Sequence, residues 1–470
     1  MKALSAAGRA RLPWMTMILL AAALLRLLHI GQQSLWSDEA WTWYVTQAPD
    51  FWTAVLGDVH PPLYFALARL WVHLVGDSEV ALRSLSALWG VLGAALILPL
   101  GLELRRHLGG SSAWPVAAAA LMAVQELDTY IGQEARMYSL VIVLSLGSMW
   151  AYLRFVRLDR RADLALWGLL TLVIIHTHYI AALLGMVQGL HALLALRGRQ
   201  RTEAIATLMI AAALLLPWLL GVVLPRQLGR FSSFLSTDAS SWETFWRYRL
   251  SWWSQQWPLW LGLWGLALWG KRQRAAWAVL ILLLWWALPY GMVWMLNLRL
   301  PLLYDYRISL VVPPIALLAA LGLDALARYS RQAASFALVV MLAYGLLAVD
   351  VYRPKEPWRA YAQALIRDIQ PGEGLLLDFN GVDYSVLYYL THSLPDNVAL
   401  LSLWQQRTWH GETYERDVPS FMERFRVLWV GRWNDGDELS RRMILHGYRL
   451  SERRVFMHWD NELEILRYER

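Results

Sequence analysis

Residues 11–43, RLPWMTMILLAAALLRLLHIGQQSLWSDEAWTW, decide how the chain is read. An apolar run over Leu12–Ile30 is long enough to cross the hydrocarbon core of a membrane, which takes roughly 20 mostly apolar residues. Immediately after it an acidic pair, Asp38 and Glu39, stands among tryptophans. Met1–Ile30 has the charged start and apolar run of a secretory signal, but no small-residue cleavage site follows, so the segment reads as an uncleaved first helix.

The same pattern repeats outward from this stretch. Of the 470 residues, 57% are hydrophobic, above the share in an ordinary soluble domain, and 29 are Trp, a residue that favours the membrane–water interface. Ten further apolar stretches follow: Leu85–Leu104, Ala113–Val124, Met137–Phe155, Leu164–Ile175, Ala181–Leu196, Ile205–Leu224, Pro258–Gly270, Ala275–Leu296, Ile308–Ala327 and Ala334–Val349. The expectation is a polytopic α-helical membrane protein with about eleven transmembrane helices. Phe51–Leu74 is amphipathic and belongs on the membrane surface. There is no cysteine, so disulfide frameworks and thiolate metal sites are excluded.

The net charge of +7 is explained by topology. Lys2, Arg9 and Arg11, Arg105 and Arg106, Arg154 to Arg161, Arg197 to Arg201, Lys271 to Arg274, and Arg328 with Arg331 occupy every second connection. Basic loops stay in the cytoplasm, which places the N-terminus there and leaves no basic patch for nucleic acid. The alternate connections face outward: Gly31–Glu79, Gln125–Arg136, His176–Tyr179, Pro225–Trp257 and Asn297–Arg307. The chain thus divides into a transmembrane domain, 1–350, whose outer loop 31–79 carries the acidic pair, and an outer soluble domain, 351–470. In the latter Trp358–Ile369 has helical periodicity, while GLLLDF, Arg426–Trp433 and Tyr448–Trp459 read as strands of a small α/β domain.

The outward connections hold the chemistry. A carboxylate at interfacial depth, such as Asp38 or Glu39, suits a general base for a hydroxyl, because desolvation strengthens its grip on a proton. The plainer reading is a helix start with Ser37 or Asp38 as N-cap. In DVHPPLYF, Asp58–Phe65, two prolines fix the backbone and hold His60 at the surface, where it and Arg83 are suited to a phosphate; a rigid turn is the alternative. IGQEARMYSL sets Glu134 and Arg136 at the mouth of the fourth span, and LLYDYRISL sets Asp305 and Arg307 at the start of the tenth. Arginine's planar fork matches phosphate, with an ion pair or an interfacial anchor as the alternative. IHTHYI brings His176, His178 and Tyr179 to the end of a span, but histidines two apart share a metal only on irregular backbone. Asp58, His60, His176 and His178 are the weak metal candidates. Together these groups suit a phosphate-bearing lipid.

LWSDEAW after the first span, DVHPPLYF in the same loop, QEARMYSL before the fourth span and the HY of IHTHYI resemble the bacterial glycosyltransferases of the protein O-mannosyltransferase and aminoarabinose transferase superfamily, of GT-C fold. The likeness is strong over Leu12–Tyr179 and weaker to Ala327. It implies an inverting enzyme that moves one sugar from a polyprenyl-phosphate carrier to a lipid, glycan or protein acceptor on the outer face of the bacterial cytoplasmic membrane. Asp38 would be the base and Glu39 its helper. His60 would face the donor phosphate, and Glu134, Arg136, His178, Tyr179 and Arg307 would line the donor site. No cofactor is required, although a divalent metal is left open. Two departures stand out: Val59 replaces the acidic residue that precedes the basic position in the aminoarabinose transferases, and Pro225–Trp257 is too short for the large luminal insertion of the eukaryotic mannosyltransferases. A transporter or lipid flippase is the alternative from another class, as is an inactive scaffold, but no paired halves are visible and the polar residues gather at one face.

Overall fold

The structure, a computed structural model, describes residues 6–227, 257–269, 273–298, 302–350, 352, 355–379, 382–403, 418–433, 438–458 and 461–470. Most of the outward connection Pro225–Trp257 lies outside these residues. The chain forms two compact units, Met1–Ile30 with Ala48–Tyr352, and Gly31–Gln47 with Arg353–Arg470. The division differs from the one drawn at 350 in one respect: the segment carrying Asp38 and Glu39 packs with the C-terminal residues.

The helices run in chain order as α1 (Ala6–Leu27), α2 (Ser37–Gln47), α3 (Phe51–Leu56), α4 (Leu63–Val75), α5 (Glu79–Leu108) and α6 (Trp114–Ala123). After α7 (Glu126–Gly132), α8 (Tyr138–Leu158) and α9 (Arg161–Ile175) come α10 (Leu183–Ala195) and α11 (Gly198–Trp218). The first unit ends with α12 (Trp257–Trp269), α13 (Gln273–Asn297), α14 (Val312–Tyr329) and α15 (Arg331–Ala348). Over the described residues, each of the eleven apolar stretches read from the sequence is mainly helical. By length and composition, six helical runs among the described residues can cross a membrane: Glu79–Leu108, Tyr138–Leu158, Gly198–Pro225, Trp277–Asn297, Tyr306–Tyr329 and Arg331–Ala348. Several of the others are too short to reach across alone, α6 having 10 residues and α9 having 15, so the expected count of about eleven exceeds what helix length establishes.

Helix α5 shows how local sequence sets the frame. Ser78 caps it by accepting the Ala81 N–H, Glu79 sits in its first turn, and Arg105, Arg106 and His107 fill its last, as the helix dipole favours. Gly109 then ends it at φ 71°, a left-handed conformation that side chains resist. Helix α14 is apolar and buried on nearly all sides, as expected of a helix inside a bundle. Gly322 lets α12 approach it: a Cβ there would lie 2.1 Å from the Leu263 carbonyl oxygen. The basic connections also meet one another. Arg106 and Arg157 both donate to the buried Glu103 carboxylate, and Arg154 pairs with Asp163 at 2.8 Å.

One charge pair is sealed within the bundle. The Arg26 guanidinium, 0% exposed, donates to Asp128 Oδ2 at 2.6 Å and to the carbonyls of Ala22 and Ala123. Two glycines make room for it. A Cβ on Gly90 would fall 2.4 Å from Arg26 Nε, and one on Gly132 would fall 3.0 Å from Arg26 Cγ. Just beyond, Gln133 donates to the Leu25 and Leu28 carbonyls, and Arg83 donates to the Ile30 carbonyl at 2.8 Å, closing the exposed end of α1.

The second unit carries a five-stranded mixed sheet. Its strands are β1 (Gly374–Asp378), β2 (Ala399–Ser402), β3 (Val427–Trp433), β4 (Arg449–His458) and β5 (Asn461–Glu469), in the spatial order β2-β1-β3-β5-β4. Strands β2, β1 and β3 are parallel, while β5 runs antiparallel to both β3 and β4. Both faces are covered. Leu375 and Leu377 point into one core with Trp358, Tyr361 and Trp429, and Leu376 points into the other with Met422, Val430 and Leu466. Besides α2, this unit includes the helices α16 (Trp358–Asp368), α17 (Asp383–Thr391) and α18 (Glu438–Leu445). The strands expected at 374–379, 426–433 and 448–459 are present, and β5 and β2 are additions. The buried Glu464 of β5 is neutralised by Arg432 at 2.7 Å and by Arg453 at 2.6 Å.

Gly90→Ala drives a methyl group into the mid-chain of Arg26 and breaks its bond to Asp128. Disrupting a buried pair costs about 3–5 kcal/mol, so the variant is expected to melt well below the parent in detergent, whereas Gly109→Ala, with open space around it, has the smaller cost of its strained φ. Equal melting of Gly90→Ala and the parent shows that the pair does not hold the bundle.

Candidate functional site

The first unit gathers the expected phosphate-facing residues from four connections. In DVHPPLYF, Asp58 Oδ1 accepts the His60 backbone N–H at 2.8 Å and lies 2.7 Å from His60 Nδ1, so the turn is an Asx turn that also aims the ring. Pro62 then opens α4, and the Leu63 N–H donates to the His176 carbonyl at 3.1 Å, fastening the turn to the end of α9. The Arg136 guanidinium comes within 3.5 Å of His60 Nδ1. Because that nitrogen's proton is directed at Asp58, the approach is a packing contact, and His60 Nε2 is the ring's remaining polar atom.

Arg136 is 1% exposed and Glu134 equally buried. Their backbone is held by the Arg136 N–H donating to the Glu134 carbonyl at 2.7 Å and by Ser86 Oγ donating to the Arg136 carbonyl at 3.0 Å. His178, 4% exposed, has its ring centre 5.7 Å from that of His60 and 5.8 Å from that of Tyr138. Tyr138 in turn lies 5.0 Å from Tyr306, and Arg307 sits over the ring of Tyr304 at 4.4 Å. Ser309 Oγ donates to the Tyr138 carbonyl at 3.3 Å, which ties the run before α14 to the start of α8. Tyr179 accepts the Trp218 indole N–H at 2.7 Å. Thus Asp58, His60, Arg136, His178 and Arg307, far apart in sequence, share one electrostatic neighbourhood. Arg83 donates to the Ile30 carbonyl instead.

The electrostatics follow from burial and from these neighbours. Burial works to raise the Asp58 carboxyl, but the charges and hydrogen bonds of His60 and the charge of Arg136 outweigh it and hold the group at about 2. Burial, followed by the positive charges of His60, Arg307 and Arg136, pushes His178 well below the usual imidazole range, so it is neutral at pH 7. Its Nδ1 is buried with no hydrogen-bond partner among the described residues.

Among the described residues no three His, Asp or Glu side chains converge on one point. His176 Nδ1 is turned back to the Leu172 carbonyl at 2.9 Å, and Asp58 Oδ1 is engaged by His60.

Asp38 and Glu39 lie in the second unit, in the first turn of α2. Their side chains divide: Asp38 is partly exposed, while Glu39 is 0% exposed. Glu39 Oε2 reaches back to the Trp36 N–H at 3.3 Å, half of a capping box, and receives Lys355 Nζ at 2.9 Å. The Ser37 N–H donates to Glu356 Oε2 at 2.8 Å, and the Leu35 N–H donates to the Tyr389 hydroxyl at 2.8 Å. Arg359 clasps the carbonyls of Gly31, Gln32 and Gln33. Rings continue the packing, with Trp41 5.2 Å from Tyr384 and Trp43 5.2 Å from Tyr388. Sequence reasoning did not single out Lys355, Glu356, Tyr138 or Tyr306. The charged doublet Lys355–Glu356, bracketed by Pro354 and Pro357, was the available signal for the first two.

No protein-family model matches this chain, and no curated protein matches it in sequence. Solved structures do. ArnT from Cupriavidus metallidurans in the apo state is similar with a TM-score of 0.67 and 14% identity, over 97% of this chain and 98% of that one. The same protein bound to undecaprenyl phosphate gives 0.61 and 14%, over 96% and 98%. The oligosaccharyltransferase of Archaeoglobus fulgidus, tethered to an acceptor peptide, gives 0.54 and 11%, over 89% and 69%. Identities this low speak for fold alone: this chain has the GT-C fold of these structures, with six helical runs among the described residues long and apolar enough to cross a membrane.

Proposed function

We propose that the protein is an inverting glycosyltransferase that moves a single hexose or pentose from a polyprenyl-phosphate carrier to an acceptor hydroxyl of a lipid, glycan or protein. The observation that carries this reading is the buried Arg136 guanidinium beside the Asp58-anchored His60, at the meeting of four connections. A desolvated, oriented arginine is an anion receptor, and an imidazole fixed next to it adds a second donor. The likeness in fold to a protein bound to undecaprenyl phosphate agrees with a phosphate-bearing lipid as the anion.

In this reading Asp38 takes the proton of the acceptor hydroxyl. The freed oxygen attacks the anomeric carbon on the side away from the phosphate, the bond from that carbon to the phosphate oxygen breaks, and the configuration inverts. Charge grows on the leaving phosphate, where Arg136, His60 and Arg307 stabilise it, so no resident metal or other cofactor is required. Glu39, fully buried, positions α2. Glu134, His178 and Tyr179 line the donor site, with the neutral His178 accepting or donating a hydrogen bond to the sugar or phosphate rather than carrying charge. Arg83 supports the site through the backbone at Ile30. By the distribution of basic connections the N-terminus lies in the bacterial cytoplasm and residues 351–470 lie outside the cytoplasmic membrane.

Transfer from radiolabelled polyprenyl-phosphate hexoses and pentoses in native membranes tests the reading. Asp38→Asn at matched folded abundance is expected to lose on the order of 100- to 10,000-fold in transfer while donor binding persists. Normal turnover by this variant removes Asp38 as the base, and carrier moved across the membrane without loss of its sugar favours a flippase. Arg136→Ala is expected to weaken donor binding by about 100-fold, and Arg136→Lys to recover only part, because an ammonium lacks the fork; unchanged binding in both places the phosphate elsewhere.

The Asp58 clamp has a defined pH window. A carboxylate held at about 2 in the folded chain contributes stability that is fully present above its unfolded value near 3.9 and is lost as pH falls through about 2. The melting difference between the parent and Asp58→Asn is therefore expected to shrink as pH falls below about 4, where the carboxylate is protonated. A difference that stays unchanged down to about pH 2 contradicts the assignment.

A further inference from the structure

We propose that Lys355 and Glu356, the charged pair just beyond the last membrane helix, are positioning residues that set the orientation of Asp38 for proton abstraction. This inference rests on Asp38 being the base.

The argument begins with the unsatisfied N–H groups of a helix start. The first turn of α2 presents backbone donors with no intrahelical acceptor, and Asp38 is its second residue. The residues on either side of Asp38 are held by the two partners. At Ser37 the backbone N–H is taken by Glu356 Oε2 at 2.8 Å, and the same oxygen accepts the Trp358 indole N–H at 2.8 Å, which seats it at the start of α16. At Glu39 the side chain is held by Lys355 Nζ at 2.9 Å while it accepts the Trp36 N–H. Asp38 is thus fixed fore and aft by groups from a single dipeptide, while its own side chain remains partly exposed.

A tether of convenience would not need this chemistry. Lys355 and Glu39 have side chains 10% and 0% exposed, so each is a charge withdrawn from water that the other helps to stabilise. Burial pushes the Glu356 carboxyl up, Asp38 and Glu39 add to that, and the hydrogen bonds from Trp358 and Ser37 act against it. Three carboxylates in one neighbourhood are unfavourable, and Lys355 offsets part of that cost. The more distant bonds of the segment, from Arg359 to the carbonyls of residues 31–33 and from Leu35 to Tyr389, already attach it to the domain. The Lys355–Glu356 pair is the part of the attachment that bears on the acid pair itself.

The test uses the full-length protein in native membranes with radiolabelled polyprenyl-phosphate hexoses and pentoses, and separates kcat from donor KM for Lys355→Met, Lys355→Arg, Glu356→Ala and Glu356→Gln. A base displaced by about 1 Å costs on the order of 100-fold, so Lys355→Met and Glu356→Ala are expected to lose kcat on that scale with donor KM nearly unchanged. Lys355→Arg and Glu356→Gln, which keep the charge or the acceptor, are expected to restore most of it. Wild-type kcat in folded Lys355→Met and Glu356→Ala overturns the proposal. So does a loss that tracks only the folded fraction, or one that Lys355→Arg and Glu356→Gln fail to relieve. Asp38→Asn run alongside separates the two readings: if it turns over normally, the base assignment fails and the positioning role falls with it, whereas an inactive Asp38→Asn beside a normal Lys355→Met overturns the positioning role alone.

Discussion

The ion pair between Arg26 and Asp128 is the constraint on which the helical unit depends. Two full charges out of water are costly, and close geometry with additional hydrogen bonds offsets part of that cost, although Arg26 Nε and Asp128 Oδ1 have no hydrogen-bond partner among the described residues. Here the guanidinium meets the carboxylate at 2.6 Å and also donates to the carbonyls of Ala22 and Ala123. Gly90 and Gly132 are notches that admit the side chain, so a missing Cβ on α5 and another on α7 are part of the same device. Because Asp128 lies on the short helix α7, the pair joins α1 to the element that leads directly into Gln133, Glu134 and Arg136. Gln133 continues the join by closing the carbonyls at the end of α1. A structural charge pair in the bundle thus sets the backbone from which Arg136 projects.

The candidate site shows the complementary use of charge. His60 is aimed by Asp58 two residues before it, through an Asx turn that the following prolines make rigid. Val59 occupies the place where the aminoarabinose transferases carry an acidic residue, and in this chain a carboxylate reaches the ring from one residue further back. His178 is kept neutral among arginines, which suits it to hydrogen bonding rather than to pairing with an anion. The arrangement concentrates positive charge at Arg136 and Arg307 while leaving Asp58 ionised.

The acid pair has a different logic. Asp38 and Glu39 are neighbours in sequence, yet one is partly exposed and the other sealed, because successive positions on a helix face different directions. The segment that carries them is sandwiched in sequence between membrane helices and packs with the C-terminal residues. The sheet domain therefore does more than follow the last span: its first residues shape the start of α2, and α17 supplies Tyr384, Tyr388 and Tyr389 to the same segment.

Sequence alone determined the membrane character, the positions of the long apolar helices and three strands of the C-terminal sheet, because apolar run length and two- or 3.6-residue periodicity are local properties. It also picked out Asp38, Glu39, His60, Arg136, His178 and Arg307, since charged groups beside apolar runs are costly and stand out. Tertiary structure alone decided which of these share a neighbourhood. His60 and Arg136 are 76 residues apart, Glu39 and Lys355 are 316 apart, and neither pairing leaves a spacing that can be read. It decided as well that Arg83 closes the end of α1, that His176 turns back onto its own helix, and that residues 31–47 pack with the C-terminal unit. The physical reason is that a buried polar group must find its partner wherever the folded chain supplies one, and that partner is chosen by packing rather than by position in the sequence.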